Sequence, residues 1–495
     1  MIVSPAFSGK RYAVLGLARS GLATVRALLA SGAHVTAWDG DEAKRSLILP
    51  GTGRGTAEGG GGGSPLGEPL ADIPLHHSLR ERSPSPRSGE DLVYADPMEI
   101  DLAGYDGIVV SPGVPLNTHP IAAKAREAGV PVIGDIELFA QARAALPAHK
   151  VVAITGTNGK STTTALIHHI LQTAGVPTMM GGNIGLPILG QEPLPEGGVY
   201  VLELSSFQID LTLSLDADVA VLTNITPDHL DRYDGFEAYA ASKARLFAMQ
   251  RPGQIAVIAT EDDETRRIAA SLRHPGLEPG SRFSVASEGS GTPDQVRGDV
   301  VEVQSASVAA GDQRSWPALQ GPHNAQNAAC AIATAKALGL SDAAIDKGLR
   351  TYPGLPHRMQ RVAEIDGVLY VNDSKATNAT STAPALGAYP RIHWICGGRR
   401  KTDDLDACKP FYGHVISAWT IGEAAELFET ILLESGIHAR NVGTLERAVK
   451  QAAQIARNGE VVLLSPACAS YDQFRDYEAR GDAFRAAVSM LGSEA

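Results

Sequence analysis

The sequence of 495 residues is poor in cysteine, has no long apolar run and has no excess of basic residues. Apolar runs such as 461–464 are far shorter than the ~18 residues of a membrane span. Residues 1–9 lack the basic segment and the apolar stretch of a signal peptide. The 43 basic and 55 acidic residues give a net charge of −12, which argues against nucleic-acid and anionic-membrane binding. We therefore expect a cytoplasmic protein with no nucleic-acid partner and no membrane insertion.

The cysteines are too few and too unevenly spaced to form a recognisable framework. They lie 66, 12 and 60 residues apart, which is neither a disulfide pattern nor a zinc spacing. They are Cys330, Cys396, Cys408 and Cys468. We expect reduced, buried thiols.

The chain length predicts about three domains at roughly 150 residues each. Gly, Pro, Ser and charged residues dominate residues 46–97, and this composition predicts a flexible or disordered insertion. Strand-like runs at 12–16, 34–39 and 107–110 and an amphipathic helix over 21–31 flank it. The insertion therefore interrupts one domain and does not separate two.

Beyond the insertion, apolar runs alternate with helical patterns, which predicts α/β units with mainly parallel sheets. The apolar runs lie at 151–155, 199–204, 219–223, 255–258, 367–371, 392–396, 415–421 and 461–464. The polar stretch 271–320, with alternation at 300–303, predicts a small antiparallel piece. Boundaries near Gly134 and Gly354 divide the chain into domains 1–133, 134–354 and 355–495.

The strongest motif is a Gly-rich loop between a strand and a helix, with the sequence AITGTNGKST at 153–162. Such a loop points backbone N–H groups and a helix N-terminus at phosphate oxygens. Lys160 would reach the outer phosphates, and the Ser161 hydroxyl would ligate Mg²⁺. Ile154 occupies the first glycine position of the general phosphate-loop pattern, so the match is incomplete. The loop predicts ATP binding.

Candidate metal ligands follow two predicted strands of the same sheet. Glu203 ends an apolar run, where a lone carboxylate is costly unless it is paired or bound to a metal. Asp228, His229 and Asp231 lie together in the loop after the next run and could bind a second metal or a substrate. Either group alone could also be a solvated loop. Because ligands gather at the carboxyl ends of parallel strands, the phosphate loop favours the catalytic interpretation.

Lys243 lies on the apolar face of a predicted helix with Phe236, Ala240 and Phe247. The pattern alone favours a lysine that extends its amine to solvent. The alternative is a lysine that faces the site and whose charge has been altered.

Polar residues at a helix start and after three later strands predict a further binding face. Asn324 and Asn327 share one helix face, where they could cap the helix or contact a purine. Polar loops at 373–378, 397–401 and 465–470 each follow a strand, so they should converge on one sheet edge.

The N-terminal sequence GLARSG at 16–21 follows a strand and precedes Asp39 by 18 residues. It is a degenerate dinucleotide fingerprint, because Ala18 stands at the middle glycine position. A single degenerate match gives little support to NAD binding.

Together these motifs resemble the Mur ligase family. In order they are GTNGKST (156–162), GGNIG (181–185), LELSSFQ (202–208), DHLDRY (228–233), HNAQNAAC (323–330), LPHR (355–358), NDSKATN (372–378) and SPACASYDQF (465–474). The last two, with SPG at 111–113, look specific to the branch that adds D-glutamate. The resemblance covers nearly the whole chain outside the insertion.

The resemblance implies an α/β fold of three domains: a Rossmann-like UDP-sugar domain, a central ATPase domain of phosphate-loop type, and a Rossmann-like C-terminal domain. It implies ATP-dependent ligation of D-glutamate to UDP-N-acetylmuramoyl-L-alanine through an acyl phosphate, in peptidoglycan precursor synthesis. It also implies two Mg²⁺ sites and domain closure. A monomer that binds only small molecules is the expected state.

The resemblance also implies a role for each motif residue. ATP would contact Gly156, Thr157, Asn158, Gly159, Lys160, Ser161, Thr162, Asn324, Asn327, Arg358, Asp373 and Lys375. The UDP-sugar would contact Arg19, Ser20, Asp39, Gly113 and Asn183. The glutamate would contact Thr377, Lys401, Ser470, Tyr471 and Tyr477. The catalytic residues would be Lys160, Glu203, His229 and Lys243, and the metal ligands Ser161, Glu203, His229 and a carbamylated Lys243.

The chain departs from the family pattern at two places. Tyr477 stands where Phe is common, and Gly40-Asp41 replaces the Thr-Arg that often follows Asp39. Arg45 or a residue of the insertion could compensate in the second case. Folylpolyglutamate synthase and a nucleotide-binding scaffold without turnover are the alternative functions, and D- and L-glutamate stay undistinguished by sequence.

Overall fold

The computed structural model describes residues 1–46, 91–228, 232–273, 299–308, 310–400 and 403–493. The first sheet has the strand order β3-β2-β1-β4-β5, and all of its strands are parallel. This is the doubly wound arrangement predicted for a Rossmann-like domain. Its strands are β1 Arg11–Leu15, β2 His34–Trp38, β3 Leu92–Tyr94, β4 Gly107–Val110 and β5 Val132–Ile133, and its helices are α1 Arg19–Ala30, α2 Glu42–Ser46 and α3 Ile121–Ala128.

The second sheet is also parallel and has the order β11-β10-β9-β6-β8-β7. Its strands are β6 His149–Thr155, β7 Thr178–Gly182, β8 Gly198–Glu203, β9 Val219–Leu222, β10 Ile255–Ala259 and β11 Val300–Val303. The helices of this part of the chain are α4 Asp135–Ala142, α5 Lys160–Thr173, α6 Ser206–Asp210, α7 Gly235–Ala248, α8 Asp263–Arg273, α9 Ala310–Gln313, α10 Pro322–Ala337 and α11 Asp342–Thr351.

The third sheet is mixed, with the order β12-β13-β17-β14-β15-β16 and one antiparallel pair, β12 with β13. Its strands are β12 Gln360–Ile365, β13 Val368–Asn372, β14 Ile392–Gly397, β15 Val415–Ile421, β16 Ala439–Gly443 and β17 Val461–Leu464. Its helices are α12 Ala379–Gly387, α13 Ala425–Glu434, α14 Leu445–Ile455 and α15 Tyr477–Ser493. The predicted α/β class with three sheets is confirmed.

The inner strands are buried on both faces, which explains their continuous apolar runs. Every residue of β4, β8, β9, β14 and β17 is buried. One apolar cluster joins the first sheet to one face of the second, and another covers the opposite face of the second sheet beneath α5 and α10. The central sheet is therefore packed on both sides, with its strand ends left for the site.

Three expectations about secondary structure were wrong in part. The alternating segment at 300–303 pairs in parallel with β10 and is not antiparallel, because the chain passes through α8 before it returns as an edge strand. Helix α1 begins at Arg19, two residues before the predicted start. The predicted insertion includes β3, which pairs with β2 at the sheet edge, so its C-terminal end is folded. Residues 47–90 lie outside the described residues.

All four cysteines are buried and unbridged, as expected. Burial raises the pKa of each of the Cys330 and Cys408 thiols to about 12. None of the described helices has the length and apolar character needed to cross a membrane.

Candidate functional site

The phosphate loop connects the end of β6 to the start of α5, and two of its glycines are required by its shape. Gly156 has φ +144°, and a Cβ there would lie 2.0 Å from the Thr223 Oγ1. Gly159 has φ +80°, and a Cβ there would lie 2.2 Å from the Asn327 Oδ1. The loop is thus pressed between the end of β9 and α10, directly before the N-terminus of α5.

Lys160 and Ser161 open α5 directly after this loop. The Lys160 Nζ donates to the backbone oxygens of Gly156 and Thr157 at 2.9 and 2.8 Å. Burial lowers the pKa of Lys160, and the nearby Glu203 carboxylate opposes that shift. The lysine therefore lies over the cradle, at the position from which it could reach bound phosphates.

Glu203 ends β8 beside the phosphate loop, opposite Ile154 in the sheet register. Its side chain is 2% exposed. The Oε1 accepts a hydrogen bond of 2.9 Å from the Asn183 Nδ2, whereas the Oε2 has no partner among the described residues. A buried carboxylate oxygen without a partner is costly unless a cation binds it. The donor set of Glu203 and the Ser161 hydroxyl fits Mg²⁺, which binds one or two protein oxygens and takes its other ligands from phosphates and water.

The second Mg²⁺ site stays a prediction, because one of its predicted ligands falls outside the described residues. No group of three or more His, Cys, Asp or Glu side chains among the residues that the structure describes could hold a metal ion. The predicted ligand His229 and its neighbour Asp231 lie outside the described residues.

Lys243 on α7 faces the site, and the interpretation as a lysine extended to solvent was wrong. Its side chain is 1% exposed, and its Nζ donates to the Gly156 backbone oxygen at 2.9 Å. The Nζ also lies 4.5 Å from the ring centre of Tyr239. Burial, with a contribution from the Lys160 charge, lowers the pKa of Lys243 to about 7. Helical periodicity identified the buried face but not the element against which that face packs.

Asn324 and Asn327 brace the phosphate loop from α10. The Asn327 Oδ1 accepts from the Thr163 hydroxyl at 3.3 Å, and its Nδ2 donates to the Asn324 Oδ1 at 3.2 Å. Neither side chain caps the helix, because the N-cap is Gly321. Capping was therefore the wrong alternative, and purine contact stays a prediction.

Arg358 brings the third domain to the phosphate loop. Its Nη2 lies 3.5 Å from the Ser161 Oγ, and its buried Nε has no hydrogen-bond partner among the described residues. His357 and Met359 on either side have φ of 60° and 46°, a left-handed conformation that is uncommon for such side chains. The linker is thus bent sharply at the residue that enters the site.

Asp373 and Lys375 follow β13 on the same side. The Asp373 carboxylate accepts from the Ser465 hydroxyl at 2.8 Å and from the Met359 N–H at 3.2 Å. Burial raises the pKa of Asp373 to about 7 and lowers the pKa of Lys375. The Lys375 Nζ lies 5.2 Å from the ring centre of Tyr477.

The residues expected to contact glutamate differ in exposure. Ser470 is buried, Thr377 and Tyr477 are partly buried, and Tyr471 is 68% exposed. Lys401 lies outside the described residues.

Arg480 on α15 was not predicted from the sequence, although it holds two of the site loops together. It is 1% exposed and donates to the backbone oxygens of Ser374, Cys468 and Ala469 at 2.8, 3.0 and 3.2 Å. Its spacing of four and eight residues from Phe484 and Val488, both fully buried, was the available signal.

The N-terminal fingerprint forms a tight turn between β1 and α1. A Cβ on Gly21 would lie 1.9 Å from the Gly16 oxygen, so α1 packs directly on the turn. The Asp39 carboxylate accepts from the backbone N–H groups of Leu17 and Asp41 at 2.7 and 2.9 Å. The Arg45 side chain donates to the Asp39 backbone oxygen at 2.6 Å.

Two UDP-sugar candidates lie where the first and second domains meet, and the others lie on the first domain alone. The Arg19 Nη2 donates to the Gly185 oxygen at 3.3 Å, in the turn that carries Asn183. Ser20 is the second residue of α1, next to Arg19, and Gly113 is exposed after β4. The contacts Arg19–Gly185 and Arg358–Ser161 thus connect the first and third domains to the central one. The contacts Asn183–Glu203 and Lys243–Gly156 lie within the central domain, around the phosphate loop.

Comparison with known proteins gives matches along the whole chain. The family model described as the Mur ligase middle domain matches residues 154–335, and the model described as the Mur ligase glutamate ligase domain matches residues 357–468. The UDP-N-acetylmuramoylalanine–D-glutamate ligase of Sphingopyxis alaskensis is 56% identical over 503 residues, with 100% of both chains covered. The ligase of the same name from Novosphingobium aromaticivorans is 57% identical, covering 99% of this chain and 97% of that protein.

Solved structures show the same fold at low identity. A UDP-N-acetylmuramate–alanine ligase from Thermotoga maritima superposes with a TM-score of 0.52 at 15% identity, covering 98% of this chain and 100% of that one. A UDP-N-acetylmuramoyl-L-alanyl-D-glutamate–2,6-diaminopimelate ligase gives a TM-score of 0.50 at 18% identity, covering 80% and 94%. At such identities the likeness concerns the fold alone.

Proposed function

The chain belongs to the Mur ligase family, and we propose that the residues described above perform the ligation for which its full-length relatives are named. The protein is a ligase that joins D-glutamate to UDP-N-acetylmuramoyl-L-alanine with ATP in peptidoglycan precursor synthesis. Both substrates are small molecules.

The observation that carries the proposal is the unpartnered Oε2 of Glu203 beside the phosphate loop. Its neighbours are a helix N-terminus, Lys160 and the Ser161 hydroxyl, which are the groups needed for a nucleoside triphosphate. Arg358 adds a second cationic side chain from another domain. Such a convergence supports phosphoryl transfer in a site completed by domain closure.

The reaction has two steps. An oxygen of the alanine carboxylate attacks the γ-phosphorus of ATP, the bond to the β-phosphate oxygen breaks, and ADP leaves. The neutral amine of glutamate then attacks the acyl carbon, the bond to phosphate breaks, and the amine proton passes to solvent or phosphate. Lys160 and Arg358 would stabilise the charge that develops on the transferred phosphoryl group.

Mg²⁺ would be held by Glu203 and Ser161, and when bound it neutralises phosphate charge. A second Mg²⁺, held by His229 and a carbamylated Lys243, is part of the same proposal. The lowered pKa of Lys243 supports it, since a neutral amine is required to attack CO₂. In that attack an N–C bond forms and the amine proton leaves to solvent, so the lysine becomes an anion.

The loops of the third domain that carry Thr377, Ser470 and Tyr477 would bind glutamate, together with Lys401 and Tyr471. Arg19, Ser20, Asp39, Gly113 and Asn183 would hold the UDP-sugar. The contact between Arg19 and Gly185 supports this, because it brings the first domain to the turn that carries Asn183. A monomeric state and a cytoplasmic location stay predictions.

The decisive experiment is ADP release from ATP and Mg²⁺ with UDP-N-acetylmuramoyl-L-alanine. D-glutamate, L-glutamate, meso-diaminopimelate and no amino acid would be compared. We expect release with D-glutamate only, and a Glu203→Gln variant should lose it. Release with L-glutamate would correct the stereochemistry. No release with any amino acid would refute the proposal and favour a folate ligase or an inactive scaffold.

A further inference from the structure

Asn183 is hydrogen-bonded to Glu203 twice, once through its backbone and once through its side chain. Its N–H donates to the Glu203 backbone oxygen at 2.8 Å, and its Nδ2 donates to the Oε1 at 2.9 Å. The preceding residue, Gly182, has φ +88°, and a Cβ there would lie 2.2 Å from the Glu203 oxygen. The turn after β7 can therefore approach the end of β8 this closely only with glycine before the asparagine.

The side-chain hydrogen bond from Asn183 determines which oxygen of the Glu203 carboxylate is available to a metal ion. The amide of Asn183 occupies the Oε1, and the Oε2 is buried without a partner among the described residues. An amide that donates to one oxygen fixes the rotation of the carboxylate and turns the other oxygen to one direction. Glu203 is thereby prepared as a ligand through a single oxygen.

We infer that Asn183 is a positioning residue for the metal site, in addition to its proposed contact with the UDP-sugar. It acts through Glu203: it fixes the Oε2 towards a divalent cation at the phosphate loop. Because the same turn contacts Arg19 of the first domain through Gly185, the sugar-binding domain and the cation site share one turn. The inference rests on the proposed function only in placing Mg²⁺ at Glu203.

The test measures Mn²⁺ binding to the full-length protein in the presence of ADP, followed by the electron paramagnetic resonance signal of free Mn²⁺. No turnover is required. Loss of a hydrogen bond that orients a ligand typically weakens metal affinity by 10–100-fold. We expect Asn183→Ala to weaken Mn²⁺ binding at least about tenfold while ADP binding without metal stays unchanged. Asn183→Leu, which keeps the branched shape and the number of side-chain heavy atoms but has no donor, should behave in the same way.

Gln191→Ala is the matched control. The Gln191 Nε2 donates to the oxygens of Met180 and Leu186, so it supports the same turn without contacting Glu203. We expect this variant to bind Mn²⁺ as the wild type does. An equal loss in Gln191→Ala would overturn the inference, because a loosened turn would then explain both results.

Unchanged Mn²⁺ affinity in both Asn183 variants, with only the KM for the UDP-sugar raised, would also overturn the inference. The ligation assay gives an independent answer about the proposed function. If the wild type fails to ligate D-glutamate but Mn²⁺ binding still depends on Asn183, the proposed function fails and the inference stands.

Discussion

Gly159→Ala should weaken ATP binding through a steric effect that can be separated from backbone strain. A methyl group at this position would lie 2.2 Å from the Asn327 Oδ1, so the amide must move. Its hydrogen bonds to Thr163 and Asn324 would then be lost. These bonds hold the loop in place for ATP, so at about 1 kcal/mol each their loss removes at most about 2 kcal/mol of preorganisation, or up to about thirtyfold in the ATP binding constant.

Gly175→Ala is the control for strain. Gly175 follows the same helix with φ +78°, nearly that of Gly159, and no heavy atom of the described residues lies within 4 Å of a Cβ there. Both substitutions force a left-handed alanine, which costs about 1–2 kcal/mol of stability. Only Gly159→Ala should also weaken nucleotide binding.

Calorimetric titration with ATP would measure both variants and the double variant Gly159→Ala/Asn327→Ala. Because the clash has already displaced Asn327, truncating it should add little to the loss, so the two effects should be far from additive. Equal ATP affinities for the Gly159 and Gly175 variants, or additive losses in the double variant, would refute the steric explanation.

Three further predictions concern other parts of the molecule. Lys243→Met should lower ligation at least about a hundredfold. Because the pKa of Lys243 is about 7, the wild-type amine is mostly neutral at pH 8.5. The NMR signal of the carbamate formed from ¹³CO₂ should therefore be larger at pH 8.5 than at pH 6, and it should be absent in the variant. Burial would raise the pKa of Glu460, but hydrogen bonds from His393 and Arg391 outweigh this effect and lower the pKa to about 2. The ionised carboxylate therefore contributes its full stabilisation of the fold at pH values above its ordinary pKa, and this contribution is lost as the pH falls towards 2. Glu460→Gln should cost about 2 kcal/mol in urea unfolding at pH 7, with a smaller difference at pH 3. Arg358→Lys should raise the KM for ATP about tenfold without changing urea unfolding, since an ammonium cannot reproduce the planar fork near Ser161.

The inner strands could be predicted from sequence because burial on both faces leaves a continuous apolar run, as in Val219–Leu222. Edge strands lack that signal. Leu92–Tyr94 is three residues long with Val93 exposed, and it follows a Gly- and Ser-rich stretch, so it was included in the insertion. The direction of Val300–Val303 depends on how the chain returns to the sheet, which local alternation does not encode.

The residues of the candidate site also differ in whether a local sequence pattern could predict them. The loop with Gly156 and Gly159 could be predicted because its residues form one contiguous sequence motif, although the side chains that press on it, Thr223 and Asn327, come from distant parts of the chain. Lys243 was undecided because periodicity gives a face and not the partner of that face. The contacts of Asn183 with Glu203 and of Arg480 with two loops join residues far apart in sequence. A local pattern can place Arg480 on the buried face of its helix, but it cannot show which groups either side chain contacts.

Because all four native cysteines are buried, cysteines introduced at the surface can be labelled with fluorescent dyes without first removing the native ones. A thiol reagent needs an accessible thiolate, and these thiols are enclosed. New cysteines at exposed apolar positions would therefore be the reactive ones, for example at Val93, Leu213 and Met490, one in each domain. Pairs of such labels would report by energy transfer on how far the domains move when ATP, the UDP-sugar and glutamate bind, with the native cysteines kept in place.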